Sequence, residues 1–447
     1  MLRDSVKDNI HPPSQEVAQH ISQHKLNLPL PPQTIEETGI SFLFLIELLC
    51  KILFLNGQMR LLDIAYRSKL TLAVLEPLLA FMRTERMCEI SRQSETETSI
   101  TYTLTELGRL RAQDFLRKNQ YAGPAPVNLA DYTARVRQQS VLDAKITLQR
   151  ITETFQGTVL HHGTLDLLGP AMNSGRAIFI YGPAGSGKTY IAEKLSHLFS
   201  DSTTIPYALL VDNEVIQIFD PLMHNPTQQI ANGTSLDRGP TYDQRWVPCQ
   251  RPAVITGGEL TLNMLDLDFD ENARFYQAPP QVKANNGLLV IDDMGRQLVS
   301  PQNLMNRWIV PLDRRVDYLA LHTGTKFMIP FDVTVIFSSN ISPSTLADEA
   351  FLRRLGYKIY IGPLSEEEYQ AIFKQVCSAY GIDYQEDSFR YLLNNLHYKE
   401  QKPLLACIPR DLLGQVRDFA LYHDVKPTLS KELLEMAWGN YYTHDEF

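Results

Sequence analysis

Cysteine is sparse in this sequence, and no two of the five (Cys50, Cys88, Cys249, Cys377, Cys407) fall in a C-x-x-C or Cys/His ligand spacing. That excludes a zinc finger or ribbon, and the scatter reads as reduced thiols in a cytoplasmic protein. Excess positive charge is also missing. At a net charge of -9 the chain has no overall attraction for nucleic acid or anionic lipid, so any such contact needs a local basic patch. No apolar core of signal-peptide length follows the opening MLRDSVKDNIHPPSQ, so secretion is not expected. The most apolar run, residues 40–55 (ISFLFLIELLCKILFL), falls short of about 20 residues and carries Glu47 and Lys51 in its middle, which reads as a buried amphipathic helix and not a membrane span. No internal repeat is visible.

What is present is an ordinary globular composition, 44% hydrophobic and 21% charged over 447 residues, enough for about two or three domains. Compositional breaks suggest four parts. Residues 1–36 are polar and Pro-rich (Pro12, Pro13, Pro29, Pro31, Pro32) and read as a mobile arm or linker. YAGPAPVN at 121–128 and IGPLSEEE at 361–368 are the other breaks, the second with Ser365 as helix N-cap, which gives 37–120, 121–364 and 365–447.

In the 37–120 part the pattern predicts helices at 40–55, 60–68 and 72–83, strands at 88–92 and 99–104, and a helix from Thr105. Three helices and a β-hairpin wing resemble a winged-helix α+β domain, although a small unspecific α+β bundle fits the same pattern. The exposed side of the third helix would be Leu72, Ala73, Glu76, Pro77, Ala80 and Arg83, with one cation and neither Asn nor Gln. Base readout needs those groups, so the expectation is a protein-docking module in preference to a DNA reader.

From about residue 173 apolar runs alternate with amphipathic helices, the signature of an α/β fold with a parallel sheet. An apolar strand, AIFIY, runs directly into GPAGSGKT: Gly182, Pro183, Ala184, Gly185, Ser186, Gly187, Lys188 and Thr189, followed by a helix over 188–199. Strand before and helix after make this G-x-x-x-x-G-K-[ST] a phosphate-binding loop. The glycines turn N–H groups inward at a helix N-terminus, Lys188 brings a point charge, and Thr189 offers a hydroxyl to Mg²⁺. A plain Gly-rich turn has no need of Lys followed by Thr. The expected ligands are ATP and Mg²⁺.

A second buried strand, GLLVI, delivers Asp292 as a Mg²⁺ ligand and Asp293 as the base or water-positioning carboxylate. A third, VTVIF, ends in Ser338, Ser339 and Asn340, whose amide suits the γ-phosphate or the attacking water. Arg353 and Arg354 follow in DEAFLRRLGYKI, and arginine is the residue for charge on a transferring phosphoryl group, including one held by a neighbouring subunit.

This order of motifs resembles the AAA+ ATPases over about residues 150–440, and most closely bacterial chaperone-like members with an N-terminal winged helix. The resemblance implies a P-loop NTPase (AAA+) parallel sheet with a C-terminal helical lid, Asp292 and Asp293 as Walker B, Asn340 as sensor 1, Arg354 with Arg353 as alternate for the trans-acting finger, and Arg410 in IPRDLLGQV as sensor 2. It also implies a ring, a hexamer, that hydrolyses ATP to remodel an unknown protein. Walker B usually ends Asp-Glu, and Asp293 is one methylene shorter, which bears on the hydrolysis rate. A DNA-associated motor or regulator, and a slow nucleotide-switch scaffold, are the alternatives. The long separation of Lys188 from Asp292 requires an insertion, similar to the helix-2 insert of some AAA+ proteins. Its residues 265–276 carry Phe269, Phe275 and Tyr276, which would either grip a polypeptide or pack in the core. No chemistry is assigned to DRGPTYDQRWVPCQRP at 237–252.

Overall fold

The computed structural model describes residues 28–92, 100–227, 241–346 and 348–442; most of the Pro-rich arm (1–27), Ser99 and residues 237–240 lie outside the described residues. The N-terminal region runs α1 (Phe42–Asn56), β1 (Met59–Arg60), α2 (Leu61–Ser68), α3 (Leu72–Thr84), β2 (Cys88–Arg92), β3 (Thr101–Leu104) and α4 (Glu106–Lys118), with antiparallel strands in the order β1-β3-β2. α1 starts where the Ser41 side chain accepts the Phe44 N–H, and it is apolar nearly all round because it is the centre of this core. Lys51 is buried within it. Its ammonium donates to the Asn119 carbonyl at 3.2 Å, at the end of α4, and burial pushes its pKa down to about 8. Among the described residues no helix is long and apolar enough to cross a membrane. On α3, Ala73, Glu76, Pro77, Ala80 and Arg83 face solvent while Val74, Leu75, Leu78 and Met82 are buried.

The chain continues through β4 (Val127–Asn128), α5 (Leu129–Gln138), α6 (Leu148–Thr154), α7 (Thr164–Asn173), β5 (Ala177–Tyr181) and α8 (Lys188–Ser196). Next come β6 (Ser202–Pro206), β7 (Ala208–Val211), β8 (Glu214–Gln217), β9 (Trp246–Gln250), β10 (Ala253–Thr256), β11 (Asp268–Asp270), β12 (Phe275–Gln277) and β13 (Gly287–Ile291). After α9 (Pro301–Arg314) follow β14 (Val316–Ala320), β15 (Lys326–Pro330), β16 (Val333–Ser339) and β17 (Leu355–Tyr360).

Five of these strands form a parallel sheet in the order β10-β13-β16-β5-β17. Their apolar runs are continuous because both faces are covered. Phe179, Leu289, Val335 and Phe337 pack towards Trp308 of α9, while Ile178, Ile180, Val290 and Ile336 pack towards Leu168 of α7 and Ile191 of α8. From β5 the chain crosses to the far edge at β10, steps back through β13 and β16 to lie beside β5, and then places β17 on the other side of β5, so the carboxyl ends of the strands line one rim of the sheet, where a crevice opens.

A second, mixed sheet, β11-β12-β8-β7-β4, is assembled from the connection after α4 and from the two insertions that flank β10. The β14–β15 hairpin shares its core through Leu319, Leu321 and Ile329. This layer decides the alternative left open for 265–276. Tyr276 is 1% exposed, its hydroxyl contacts His322, and Phe269 stacks on His322 with centroids 4.3 Å apart. Phe275 meets Tyr121 edge-on at 5.6 Å, and Gln120 donates its N–H to Ala273 and its amide to Asn272, at 2.9 and 2.8 Å. All three aromatics are packing groups: Phe269 and Tyr276 pack in the mixed-sheet layer, and Phe275 seats the N-terminal region.

The segment without assigned chemistry does the same work. Arg245 and Asp243 form a buried ion pair at 2.8 Å, and Arg245 also donates to the carbonyls of Thr38 and Pro126. Asp243 donates its N–H to Pro29 at 2.8 Å, and Thr71 bonds Pro32 at 2.7 Å. Within the described part, therefore, the expected arm is fastened to the body from Pro29 onward.

The C-terminal region is helical: α10 (Glu366–Tyr380), α11 (Glu386–Tyr391) running into a π-helical stretch (Leu392–Tyr398), α12 (Ile408–Tyr422) and α13 (Lys431–Tyr441). Ser365 caps α10 in a reciprocal capping box with Glu368. Tyr369, Phe389, His397, Leu412 and Trp438 fill its separate core.

Candidate nucleotide site

At the mouth of the crevice the chain leaves β5 through Gly182, where a Cβ would stand 2.0 Å from the Ile361 carbonyl oxygen, so only glycine passes. Gly185, at φ 80°, is crowded from the other side: a Cβ there would lie 2.3 Å from Cys407 Sγ. Cys407 immediately precedes α12, and its N–H donates to the Gly185 carbonyl at 3.0 Å, so the helical region rests directly on the phosphate loop. Sequence reasoning missed this contact because nothing local marks it.

Lys188 opens α8 and is 6% exposed. Its ammonium donates to the carbonyls of Gly182 and Pro183, at 3.1 and 2.8 Å, and to Asn340 Oδ1 at 2.6 Å. Burial lowers its pKa, the Asp292 and Asp293 carboxylates oppose that shift, and Arg296 adds to it. Thr189 Oγ1 donates to Asp292 Oδ2 at 2.6 Å. Asp292 is placed by the sheet, its N–H bonded to the Thr256 carbonyl at 2.8 Å. Asp293 then turns into the left-handed region, φ 49°, with its Oδ1 3.5 Å from the Asn340 amide nitrogen. Five residues from distant parts of the chain thus meet at three strand ends.

The loop suits a polyphosphate with its metal. Ser186 Oγ is buried without a hydrogen-bond partner among the described residues, a polar atom awaiting a ligand. Thr189 and Asp292 are hard oxygen donors of the kind that hold Mg²⁺ together with substrate phosphates. No cluster of three or more His, Cys, Asp or Glu able to hold a metal unaided occurs among the described residues.

The two arginines stand elsewhere. β17 begins at Leu355 opposite Ala177 and ends at Tyr360 opposite Tyr181, so Arg353 and Arg354 lie a strand's length, about 16 Å, from the loop after β5. Arg354 is held by Asp313, Nε to Oδ2 2.8 Å, and contacts the Ala350 carbonyl. Arg353 is 81% exposed and only 3.7 Å from an equally exposed Glu349. Both line a cavity of about 650 Å³ with Arg176, Arg315 and Asp313. Arg410, in the first turn of α12, is exposed and 3.7 Å from Asp411, with no bond to the phosphate loop among the described residues.

A phosphate loop between β5 and α8, in a parallel sheet of this order, decides the fold class. The fold is α/β, of the P-loop NTPase class. A family model described as a domain of unknown function, DUF8689, matches residues 365–440, the helical region alone. No curated protein matches the chain. Among solved structures, it is similar to NtrX from Brucella abortus in complex with ADP, at 15% identity and a TM-score of 0.40, over 67% of this chain and 59% of that one. It is also similar to the Thermotoga maritima RuvB Holliday junction branch migration motor, at 12% identity and a TM-score of 0.35, over 68% of this chain and 75% of that one. The chain thus spans less than two thirds of the NtrX chain's length.

Proposed function

We propose that the chain is an AAA+ ATPase that assembles into a ring, of six subunits by family resemblance, and uses ATP hydrolysis to remodel a protein partner. The observation that carries the reading is the meeting of Lys188, Thr189, Asp292, Asp293 and Asn340 at the carboxyl ends of β5, β13 and β16. In this account Lys188 exchanges its carbonyl and amide partners for phosphate oxygens, and the inward N–H groups of residues 182–189 cradle the rest. Mg²⁺, when bound between Thr189 and Asp292, supplies positive charge to the phosphate oxygens. Asn340 orients Asp293, which takes the proton of the attacking water as its oxygen bonds to the γ-phosphorus and the β–γ bridging bond breaks towards the β-phosphate. Arg410 would approach the nucleotide after a movement of the lid.

The arginine pair faces away from its own loop, which supports action on a neighbour's nucleotide and therefore a ring. Arg353, exposed and paired at 3.7 Å with an exposed Glu349, reaches across at little cost, whereas Arg354 must first leave Asp313. We read residues 37–120 as a winged-helix domain, 121–364 as the nucleotide-binding domain and 365–447 as the lid. The α3 face, with Arg83 as its one cation, favours a protein over DNA as the partner of the first.

Phosphate release by the wild type, Lys188→Ala, Asp293→Asn and Arg353→Ala, over a range of protein concentrations, tests the account. Wild-type turnover should rise with assembly and the first two variants should lose about a hundredfold or more. Arg353→Ala should stay at the low rate of the dilute wild type. Undiminished turnover in Lys188→Ala would sink the ATPase reading; a wild type that binds ATP without turnover would leave the nucleotide switch.

A further inference from the structure

The cavity of about 650 Å³ that Arg353 and Arg354 line has two more arginines in its wall, and one of them holds the backbone of Arg353. Arg315, half-buried just after α9, donates to the Gly175 carbonyl and, at 3.0 Å, to the Val333 carbonyl, so the turn that enters β5 is fixed to the start of β16. Arg176 is the next residue of that turn. Its Nη2 donates to the Arg353 carbonyl at 2.6 Å. Arg353 is the C-cap of the short helix Glu349–Leu352, where the last carbonyls have no partner within the helix and a guanidinium satisfies one of them. Gly356 makes room for this contact. β17 is irregular between Leu355 and Tyr357, and a Cβ on Gly356 would stand 2.6 Å from Arg176 Cβ and 3.2 Å from its Cδ, so the Arg176 stem lies across the start of the strand. The Arg353 side chain, exposed and 3.7 Å from an equally exposed Glu349, takes no direction from packing, so its reach is set by where its backbone stands.

Resting on the reading that the arginine pair acts on a neighbour's nucleotide, we propose that Arg176 is a positioning residue for that action: by holding the Arg353 carbonyl it fixes where the Arg353 guanidinium meets the γ-phosphate on the adjoining subunit. Arg176 itself touches no phosphate in this account. It stands immediately before β5, and the far end of β5 carries the phosphate loop. One strand thus ties the nucleotide loop of each subunit to the arginine that subunit offers its neighbour. A group that stabilises charge on a transferring phosphoryl works only from the right place, and a displacement of about 1 Å costs up to about a hundredfold in rate. Loss of one exposed hydrogen bond matters little to folding by comparison. The two effects are separable by measurement.

The test is complementation in mixed assemblies of the full chain, read as ATP turnover. Arg176→Met keeps the stem against Gly356 and removes the donor. Assembled alone, it should lose about tenfold or more in kcat with KM for ATP unchanged and melting within about 2 °C of wild type, and Arg176→Lys, which still donates, should lie between. Mixed in equal amounts with Lys188→Ala, whose arginines are intact, Arg176→Met should regain turnover, because a junction between the two joins an intact loop to an intact arginine. Mixed with Arg353→Ala it should regain none, since both defects then lie on the same side of the junction. Wild-type turnover in Arg176→Met, a fall in melting temperature that accounts for its lost turnover, or rescue by Arg353→Ala would overturn the proposal. So would failure of Lys188→Ala to rescue Arg176→Met where it does rescue Arg353→Ala. If Lys188→Ala rescues neither, the trans reading itself fails and the proposal with it, an outcome distinct from a failure of Arg176 alone.

Discussion

The described residues form two five-stranded sheets, and they are built on opposite plans. In the parallel sheet most strands are local apolar runs, and the candidate site residues follow their ends: Asp292 and Asn340 directly after β13 and β16, and Lys188 across the Gly-rich loop from AIFIY. In the mixed sheet the strands are two to four residues long and come from three stretches of chain, with β12 pairing in parallel with β8 from 60 residues earlier. The first concentrates chemistry at strand ends. The second concentrates attachment, since it holds the N-terminal region through Gln120, Tyr121 and Arg245. Damage to one should abolish function and leave the fold, and damage to the other should do the reverse.

The largest separation is expected from Asp292→Ala, which removes the partner of Thr189 and the carboxylate proposed for Mg²⁺. Turnover should fall about a thousandfold, about 4 kcal/mol at the transition state, with the melting temperature nearly unchanged. Phosphate release and a thermal scan on the same sample check it, and a parallel collapse of both would erase the contrast. Arg245→Ala is the converse. It strands Asp243, a buried charge, and should cost about 3–5 kcal/mol of stability, read by denaturant titration, while Mg²⁺-ADP affinity of the folded fraction stays at the wild-type value.

The smallest effect lies in the helical region, which belongs to neither sheet. Burial pushes the pKa of His397 from 6.5 down to about 4, so it is neutral when folded, with Nε2 taking the Tyr369 hydroxyl at 2.9 Å. Below pH 6.5 the unfolded chain binds a proton that the folded one refuses. The contribution is whole above that pH and is lost as pH falls towards 4, by about 3 kcal/mol at most. Hydrogen exchange of α12 and α13 at pH 7 and at pH 4 reads it, and His397→Phe should flatten the dependence.

The parallel sheet was legible because apolar runs of five residues and a Gly-rich loop are local signals. Asp292, Asp293 and Asn340 could be named from their positions after such runs. Cys407 escaped because its contact with Gly185 crosses more than 200 residues of sequence. The aromatics of 265–276 were legible as aromatics, but their partners Tyr121 and His322 are remote in the chain, so gripping and packing looked alike until the mixed sheet was seen.

By itself, then, the sequence determined the phosphate loop, the order of the strands' chemical ends and the buried character of residues 40–55, since each depends on neighbours a few residues away. Tertiary structure alone decided that Arg353 and Arg354 lie a strand's length from the phosphate loop, that Arg354 is held by Asp313 while Arg353 meets only an exposed Glu349, and that the unassigned segment around Arg245 is a buried fastening. These are properties of pairing register and of distance through space. A linear chain carries no local mark of either.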